Sequence, residues 1–152
     1  LPTGQGVWPA LWLLGANFTE VGWPSSGEID LMEMLGQEDS RVYGTVHWSS
    51  NGSNAQYPLG GAGKKLEGDE NYHNRYHVFS LLWSETQLEW LVDGESYLRF
   101  DITDASDLAA FRKEFFLIFN VAVGGNWPGY PNASTQFPQY MLVDYVRVFE
   151  QN

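Results

Sequence analysis

Residues 25–34 read SSGEIDLMEM, a stretch that sets three carboxylates, Glu28, Asp30 and Glu33, among apolar residues typical of a strand. Side chains of a regular strand alternate between two faces, so Glu28 and Asp30 would share one face and Glu33 would point to the other. A lone carboxylate that points into a buried layer costs free energy. A helix does not bring the acids together either, because Glu28 and Glu33 would lie about 140° apart around its axis.

A β-bulge would place all three acids on one face of the strand. One extra residue within residues 30–33 returns Glu33 to the face that carries Glu28 and Asp30. Neighbouring like charges raise the pKa of at least one carboxyl, which suits a pair made of one nucleophile and one protonated acid. Retaining glycosidases use such a pair, about 5–5.5 Å apart. An acidic strand on a solvated face, or a calcium cluster, fits the same spacing, and spacing alone leaves these interpretations open.

The rest of the chain has the texture of an all-β protein, because short apolar and aromatic runs alternate with Gly, Pro, Asn and Asp. Strands are predicted near residues 10–15, 28–35, 41–48, 76–83, 87–92, 96–101, 115–123 and 140–149. Many short antiparallel strands in one domain favour a two-sheet sandwich or jelly roll.

Three local signals refine this prediction. Asp93-Gly94 lies between two alternating runs and predicts a two-residue hairpin of type I′. Asp107 precedes an Ala-rich run and is predicted to cap a short helix. The polar, Gly-rich residues 49–75 predict a long connection, which is either a functional loop or a mobile surface loop.

Composition excludes several classes of function. The chain has 152 residues, enough for one domain with its own core, and it has no Cys. With 8 basic and 19 acidic residues the net charge is −11, which argues against nucleic acid as a partner. No apolar run approaches the ~18 residues of a membrane span. Seven Trp, eight Tyr and nine Phe either pack a large sheet or line a cleft for a ligand with flat apolar faces.

The block GEIDLME resembles the E-[IL]-D-x-x-E signature of glycoside hydrolase family 16, in the laminarinase-type branch that carries the extra bulge residue. The blocks LPTGQGVWPALWLLG, GTVHW, YHVFSLLWSETQLEWLVDG, FFLIFNVAVGGNWPG and MLVDYVRVFEQN are similar to the same family. The resemblance implies a concanavalin A-like jelly roll of two curved antiparallel sheets, with a sugar cleft across the concave face. It also implies that residues 1–152 are part of a catalytic domain whose N-terminal strands are absent here.

The resemblance implies roles for individual residues. Glu28 corresponds to the nucleophile, Asp30 to its assistant and Glu33 to the acid/base. The candidate substrate-binding residues lie in the family's cleft-forming blocks and are Trp8, Trp12, Trp23, His47 and Trp127. The four Trp among them would serve as sugar platforms, and His47 would bond the substrate. The remaining Trp48, Trp83 and Trp90 are assigned to packing.

The resemblance also bears on metals and partners. No cofactor is expected for catalysis, and Asp144 matches a family position that often binds a structural calcium. Without the N-terminal strands, sheet edges and core surface are expected to be open. We therefore expect either a complementing N-terminal segment or self-association.

The implied activity is retaining endo-hydrolysis of β-1,3-glucan by a secreted enzyme, with polysaccharide as the partner and neither nucleic acid nor membrane. Within the same class, a β-1,3-1,4-glucanase or a galactan hydrolase on the same scaffold is the alternative. A glucan-binding module without catalysis is the alternative from another class, although such relatives lose the catalytic acids.

Overall fold

Two antiparallel sheets form the protein. The computed structural model describes residues 1–49, 60–68, 70–104 and 108–150. The strands are β1 (Val7–Gly15), β2 (Glu28–Glu33), β3 (Arg41–His47), β4 (Gly60–Lys65), β5 (Phe79–Trp83), β6 (Gln87–Val92), β7 (Glu95–Asp101) and β8 (Phe115–Val123). Helix α1 (Phe18–Val21) and a 3₁₀ helix (Ala109–Arg112) are both single turns. The predicted all-β fold of two antiparallel sheets is confirmed.

The sheets differ in size and in what they carry. The first has five strands in the order β4-β3-β2-β1-β8, and the second has three in the order β5-β6-β7. Every paired strand is antiparallel. The acid-bearing strand β2 is central in the larger sheet, with pairing partners on both sides, so its backbone is held firmly.

The core lies between the sheets and follows the strand alternation. In β3, Val42, Gly44 and Val46 are buried, while the intervening side chains point to the outer face of the sheet. Side chains from both sheets meet in two buried clusters. One contains Ile29, Val46, Trp48, Leu88, Trp90, Ile102, Leu108 and Phe111, and the other Met32, Met34, Val42, Tyr72 and Val92.

The tight hairpin predicted at Asp93-Gly94 is confirmed. Asp93 has φ +52° and Gly94 φ +86°, the two positive values that a type I′ turn requires. Val92 pairs with Glu95 across the turn. The Asp93 carboxylate accepts hydrogen bonds from the Val78 amide and from Nδ1 of His77, both at 2.8 Å, so the turn is anchored to the start of β5.

Two features of the secondary structure differ from the sequence prediction. Residues 60–65, GGAGKK, form strand β4 inside the predicted connection, because they pair along β3 from Arg41 to Val46. The predicted strand at 140–149 is wrong. Its apolar side chains are largely exposed, and no neighbouring strand pairs with it among the described residues.

The predicted short helix is present as the 3₁₀ helix Ala109–Arg112. Its N-cap is Leu108, which makes no side-chain capping bond. The predicted cap, Asp107, lies outside the described residues. Within the described ranges, no helix is long and apolar enough to cross a membrane.

One apolar surface of the larger sheet is uncovered. Strand β8 is its edge strand, and the side chains on the β8 face that points toward the second sheet are exposed along most of the strand. They are Leu117, Phe119, Val121 and Val123. Side chains of the second sheet pack against residues of β1, β2 and β3, and this face of β8 stays exposed.

Candidate active site

A bulge in β2 brings the three acids to one face. Along the β2–β3 ladder Asp30 pairs with Thr45 and Glu33 with Tyr43, so two β2 residues lie opposite the single residue Gly44. The same register shift appears on the other side of β2, against β1. The predicted bulge within residues 30–33 is confirmed.

The acids lie in a cleft on the outer face of the larger sheet. A pocket of about 210 Å³ opens there, between β2, β1 and β8. Its lining residues are Trp8, Ala10, Trp12, Glu28, Asp30, Glu33, Asn120 and Ala122. Glu28 and Glu33 therefore face the same pocket, which contradicts a solvated acidic strand.

Indole N–H groups hold the two glutamates. Trp23 Nε1 donates to Glu28 Oε2 at 2.6 Å, and Trp8 Nε1 donates to Glu33 Oε1 at 3.1 Å. The hydroxyl of Thr45 donates to Glu33 Oε2 at 3.3 Å. Each carboxyl group is therefore oriented by side-chain donors of the protein, from β1 and β3 for Glu33 and from the segment before β2 for Glu28.

His47 lies beside the first two acids. Its Nε2 is 3.3 Å from Asp30 Oδ2 and 3.8 Å from Glu28 Oε1. The ring also contacts Trp23, with centroids 5.9 Å apart. His47 is placed by its pairing with Glu28 on the β2–β3 ladder, so it sits where it can bond both carboxylates.

Burial dominates the electrostatics of the acids. It raises the pKa of Glu33 to about 8, with the nearby charges of Asp30 and Glu28 adding to the effect. It likewise raises the pKa of Glu28 and of Asp30 to about 7. A hydrogen bond between Glu28 and Asp30 raises the pKa of Glu28 and lowers that of Asp30, while the charge of His47 lowers that of Glu28. Glu33 therefore holds its proton to the highest pH.

The other two predicted sugar platforms flank the acids. Trp12 Nε1 donates to Asn120 Oδ1 at 2.7 Å, which ties β1 to β8 at the pocket wall. Trp127 stands at the far end, edge-on to Trp8 at 5.3 Å and to Tyr43 at 5.2 Å. The structure thus brings together all the predicted substrate-binding residues around the three acids.

The three Trp assigned to packing behave differently from one another. Trp48 and Trp90 are buried in the core between the sheets, as predicted. Trp83 is 39% exposed, donates its indole N–H to the carbonyl of Phe111 and packs edge-on against Phe115. It therefore lies at the border of the core.

Side chains that could hold a metal coincide with the acids. Glu28, Asp30 and His47 each offer one atom, all within 4.8 Å of one another. Across the residues that the structure describes, no other three His, Cys, Asp or Glu side chains approach so closely. Calcium takes six to eight oxygens; Asp144 is exposed and belongs to no such cluster of His, Cys, Asp or Glu among the residues that the structure describes, so calcium there stays a prediction.

Sequence reasoning missed several cleft residues. Thr45 lies two residues before His47 on the same face of β3, a relation that the alternation of the strand could have revealed. Asn120 is the one polar residue in the apolar run FFLIFNVAV, which is the signal for a functional position. Tyr43 borders Trp127 and donates its hydroxyl to Glu38, and no motif pointed to it.

Known proteins are similar to this chain in sequence and architecture. The model of Glycosyl hydrolases family 16 matches residues 1–147. The laminarinase catalytic domain from Thermotoga maritima MSB8 is 48% identical, with a TM-score of 0.80 over 91% of this chain and 55% of that one. The endo-β-1,3-glucanase from Pyrococcus furiosus is 41% identical, with a TM-score of 0.79 over 91% and 53%.

Among curated proteins, glucan endo-1,3-beta-glucosidase A1 from Niallia circulans is 39% identical over 99% of this chain and 23% of its own length. The chain spans about half the length of the two solved relatives and less than a quarter of the length of the Niallia circulans protein. A family match over nearly every residue, joined to the bulged strand and its three acids, means that the chain belongs to glycosyl hydrolases family 16.

Proposed function

We propose that residues 1–152 are part of a catalytic domain that cleaves β-1,3-glucan internally, with retention of anomeric configuration. The observation that carries this proposal is the bulge in β2, which sets Glu28 and Glu33 on one face of a single cleft. A bulge costs ladder hydrogen bonds, and bulges are common where a side chain must be re-aimed beside an active site. Two carboxyl groups with separate hydrogen-bond donors suit two separate roles.

Glu28 acts as nucleophile and Glu33 as acid, then base. The Glu28 carboxylate attacks the anomeric carbon, the bond from that carbon to the glycosidic oxygen breaks, and Glu33 gives its proton to that oxygen. Glu33, now ionised, takes a proton from water, and the water oxygen displaces Glu28 from the same carbon. Two inversions at one carbon leave the β configuration unchanged.

The pKa order supports this division of roles. Glu33 has the pKa raised furthest, to about 8, so at neutral pH it holds the proton that the leaving oxygen needs. Glu28 must be ionised to attack, and the charge of His47 together with the Trp23 indole favours its ionised form. Asp30 orients Glu28 through the hydrogen bond between them.

The flat walls of the cleft support a sugar chain as substrate. Trp23 and Trp127 are 39% and 43% exposed, and their apolar rings suit the C–H faces of pyranose rings. Because a polysaccharide is too large to cross a membrane unaided, an extracellular location belongs to the proposal. Retention of all three acids favours catalysis over a module that only binds glucan.

The uncovered face of β8 supports a further part of the proposal. A segment from elsewhere, or a second copy of the chain, covers the exposed apolar residues of β8 and of 140–149. Covering this face completes the sheets that hold the cleft.

Product analysis tests the proposed function. Laminarin, lichenan and agarose are each incubated with the protein, and the oligosaccharides are separated by chromatography. We expect a ladder of internal products from laminarin. A ladder from lichenan alone would favour a β-1,3-1,4-glucanase, products from agarose a galactan hydrolase, and laminarin binding without products a non-catalytic module.

A further inference from the structure

The second sheet contacts the bulge through one buried indole. Trp90 lies on β6 and has no exposed surface. Its Nε1 donates a hydrogen bond of 2.8 Å to the main-chain carbonyl of Asp30, across the space between the sheets. The side chain assigned to packing therefore also satisfies a backbone group of the acid-bearing strand.

The bonded carbonyl lies at the start of the bulge. Because two β2 residues oppose Gly44, the ladder is interrupted between Asp30 and Glu33. Backbone groups at such an interruption need another partner when they are buried. Trp90 donates to the Asp30 carbonyl from outside the sheet, and a buried carbonyl left without any partner would cost free energy.

The indole reaches this position because β3 has a glycine beneath it. A Cβ on Gly44 would lie 2.7 Å from Cδ1 and 2.9 Å from Nε1 of Trp90, closer than a Cβ approaches other heavy atoms. Gly44 thus both lies opposite the bulge and leaves space for the Trp90 indole. The bulge, the glycine and Trp90 form one interlocked unit.

We propose that Trp90 is a positioning residue: its indole N–H holds the bulge in the register that sets Glu33 beside Glu28. The inference rests on the proposed function, since it concerns the placement of the proposed acid. Glu28 precedes the bulge and is held by its pairing with His47, so loss of the Trp90 bond displaces Glu33 far more than Glu28.

Trp48 offers a matched control. It belongs to the same buried cluster as Trp90 and is 5% exposed. Its indole Nε1 is buried without a hydrogen-bond partner among the described residues. Replacing either Trp by Phe removes a similar buried volume, but only Trp90→Phe removes a bond to the bulge.

The test compares Trp90→Phe and Trp48→Phe in the full polypeptide, on laminarin and on an aryl β-glucoside oligomer with a good leaving group. A small displacement of a catalytic group costs up to about 100-fold in rate. We expect Trp90→Phe to lower kcat on laminarin about 10- to 100-fold with KM within about 2-fold. The aryl substrate needs little protonation, so its kcat should fall about 3-fold or less. Trp48→Phe should leave both rates near wild type.

A second variant separates loss of the hydrogen bond from loss of folding. Benzothienylalanine at position 90 keeps the shape of tryptophan and replaces the N–H by sulfur, so it should reproduce the substrate-dependent loss. Equal losses on both substrates, or wild-type rates for the sulfur analogue, would overturn the role of Trp90. Glu33→Ala is included to separate the two claims: if it retains full laminarin hydrolysis, the proposed function fails, whatever Trp90 does.

Discussion

Nε2 of His47 lies 3.3 Å from Oδ2 of Asp30 and 3.8 Å from Oε1 of Glu28. A positive charge on this ring favours the ionised forms of the carboxyls around it and lowers the pKa of both Glu28 and Glu33. The His47 side chain therefore favours the ionised forms of Glu28 and Glu33, the two proposed catalytic carboxyls.

Replacing His47 by Asn should move the whole pH profile upward. Without the charge, the pKa of Glu28 rises and a higher pH is needed to ionise the nucleophile. The pKa of Glu33 rises as well, so the acid stays protonated to a higher pH. Both limbs of kcat/KM against pH should shift to higher pH. His73→Asn, which removes the contact to Asp39 instead, is the control. An unchanged acidic limb in His47→Asn would contradict this account.

The buried acids should make the fold less stable as pH rises. Glu33 keeps its proton up to about pH 8 in the folded state, compared with an ordinary value of 4.5, so between these values the folded chain binds more protons than the unfolded chain. The contribution of Glu33 to stability is fully present below about pH 4.5 and is lost as pH rises toward 8, at about 1.4 kcal/mol for each unit of pKa shift.

Glu33→Gln should remove much of this dependence. Thermal unfolding from pH 5 to 8 should show Tm falling in the wild type and falling less in Glu33→Gln, while Glu20→Gln on the exposed helix α1 should behave as wild type. A wild-type Tm that rises over this range would contradict the burial of protonated acids.

Trp127 should contribute to substrate binding, whereas Trp83 should not. The two indoles are similarly exposed, at 43% and 39%, but Trp127 borders the cleft and Trp83 contacts Phe111 and Phe115. Loss of an aromatic platform costs about 1 kcal/mol, so Trp127→Ala should raise KM for laminarin about 5-fold. Trp83→Ala should leave KM unchanged. The same KM change in both variants would remove Trp127 from the proposed site.

The uncovered edge of the larger sheet should govern association of residues 1–152 expressed alone. Sedimentation and thermal unfolding should show self-association or a low, broad transition, with weak laminarin hydrolysis. Lysine at Val121 and Val123, which lie on the open face of β8, should reduce association, and Val78→Lys, equally exposed elsewhere, should not. A monomer with a cooperative high-temperature transition and full activity would contradict the importance of this surface.

The bulge in β2 could be predicted from the sequence because a regular strand would place Glu28 and Glu33 on opposite faces. Glu33 is out of phase with Glu28, and a bulge is the device that resolves such a conflict in a strand. The hairpin at Asp93-Gly94 was predictable because its two positive φ values favour this residue pair.

Other features depend on partners that no local pattern reveals. GGAGKK has little intrinsic strand preference and forms β4 because the edge of β3 accepts it. Apolar and polar residues alternate along 140–149 as they do in a strand. This pattern shows which side chains could share a face, but it does not show whether a neighbouring strand has a free edge to pair with. The difference between Trp48 and Trp90 likewise arises from the opposing sheet, where only Trp90 meets a carbonyl.

The stereochemistry of azide rescue distinguishes the nucleophile, proposed to be Glu28, from the proton donor, proposed to be Glu33. Glu33→Ala and Glu28→Ala are each incubated with azide and an aryl β-glucan oligomer that has a good leaving group, and the products are identified by NMR. In Glu33→Ala, azide needs no base and displaces Glu28 from the glycosyl-enzyme, so we expect a β-glycosyl azide. In Glu28→Ala, azide occupies the place of the missing carboxylate and attacks the substrate directly, which predicts an α-glycosyl azide. The opposite anomers would exchange the two roles, and near-normal laminarin hydrolysis by either variant would contradict the pair.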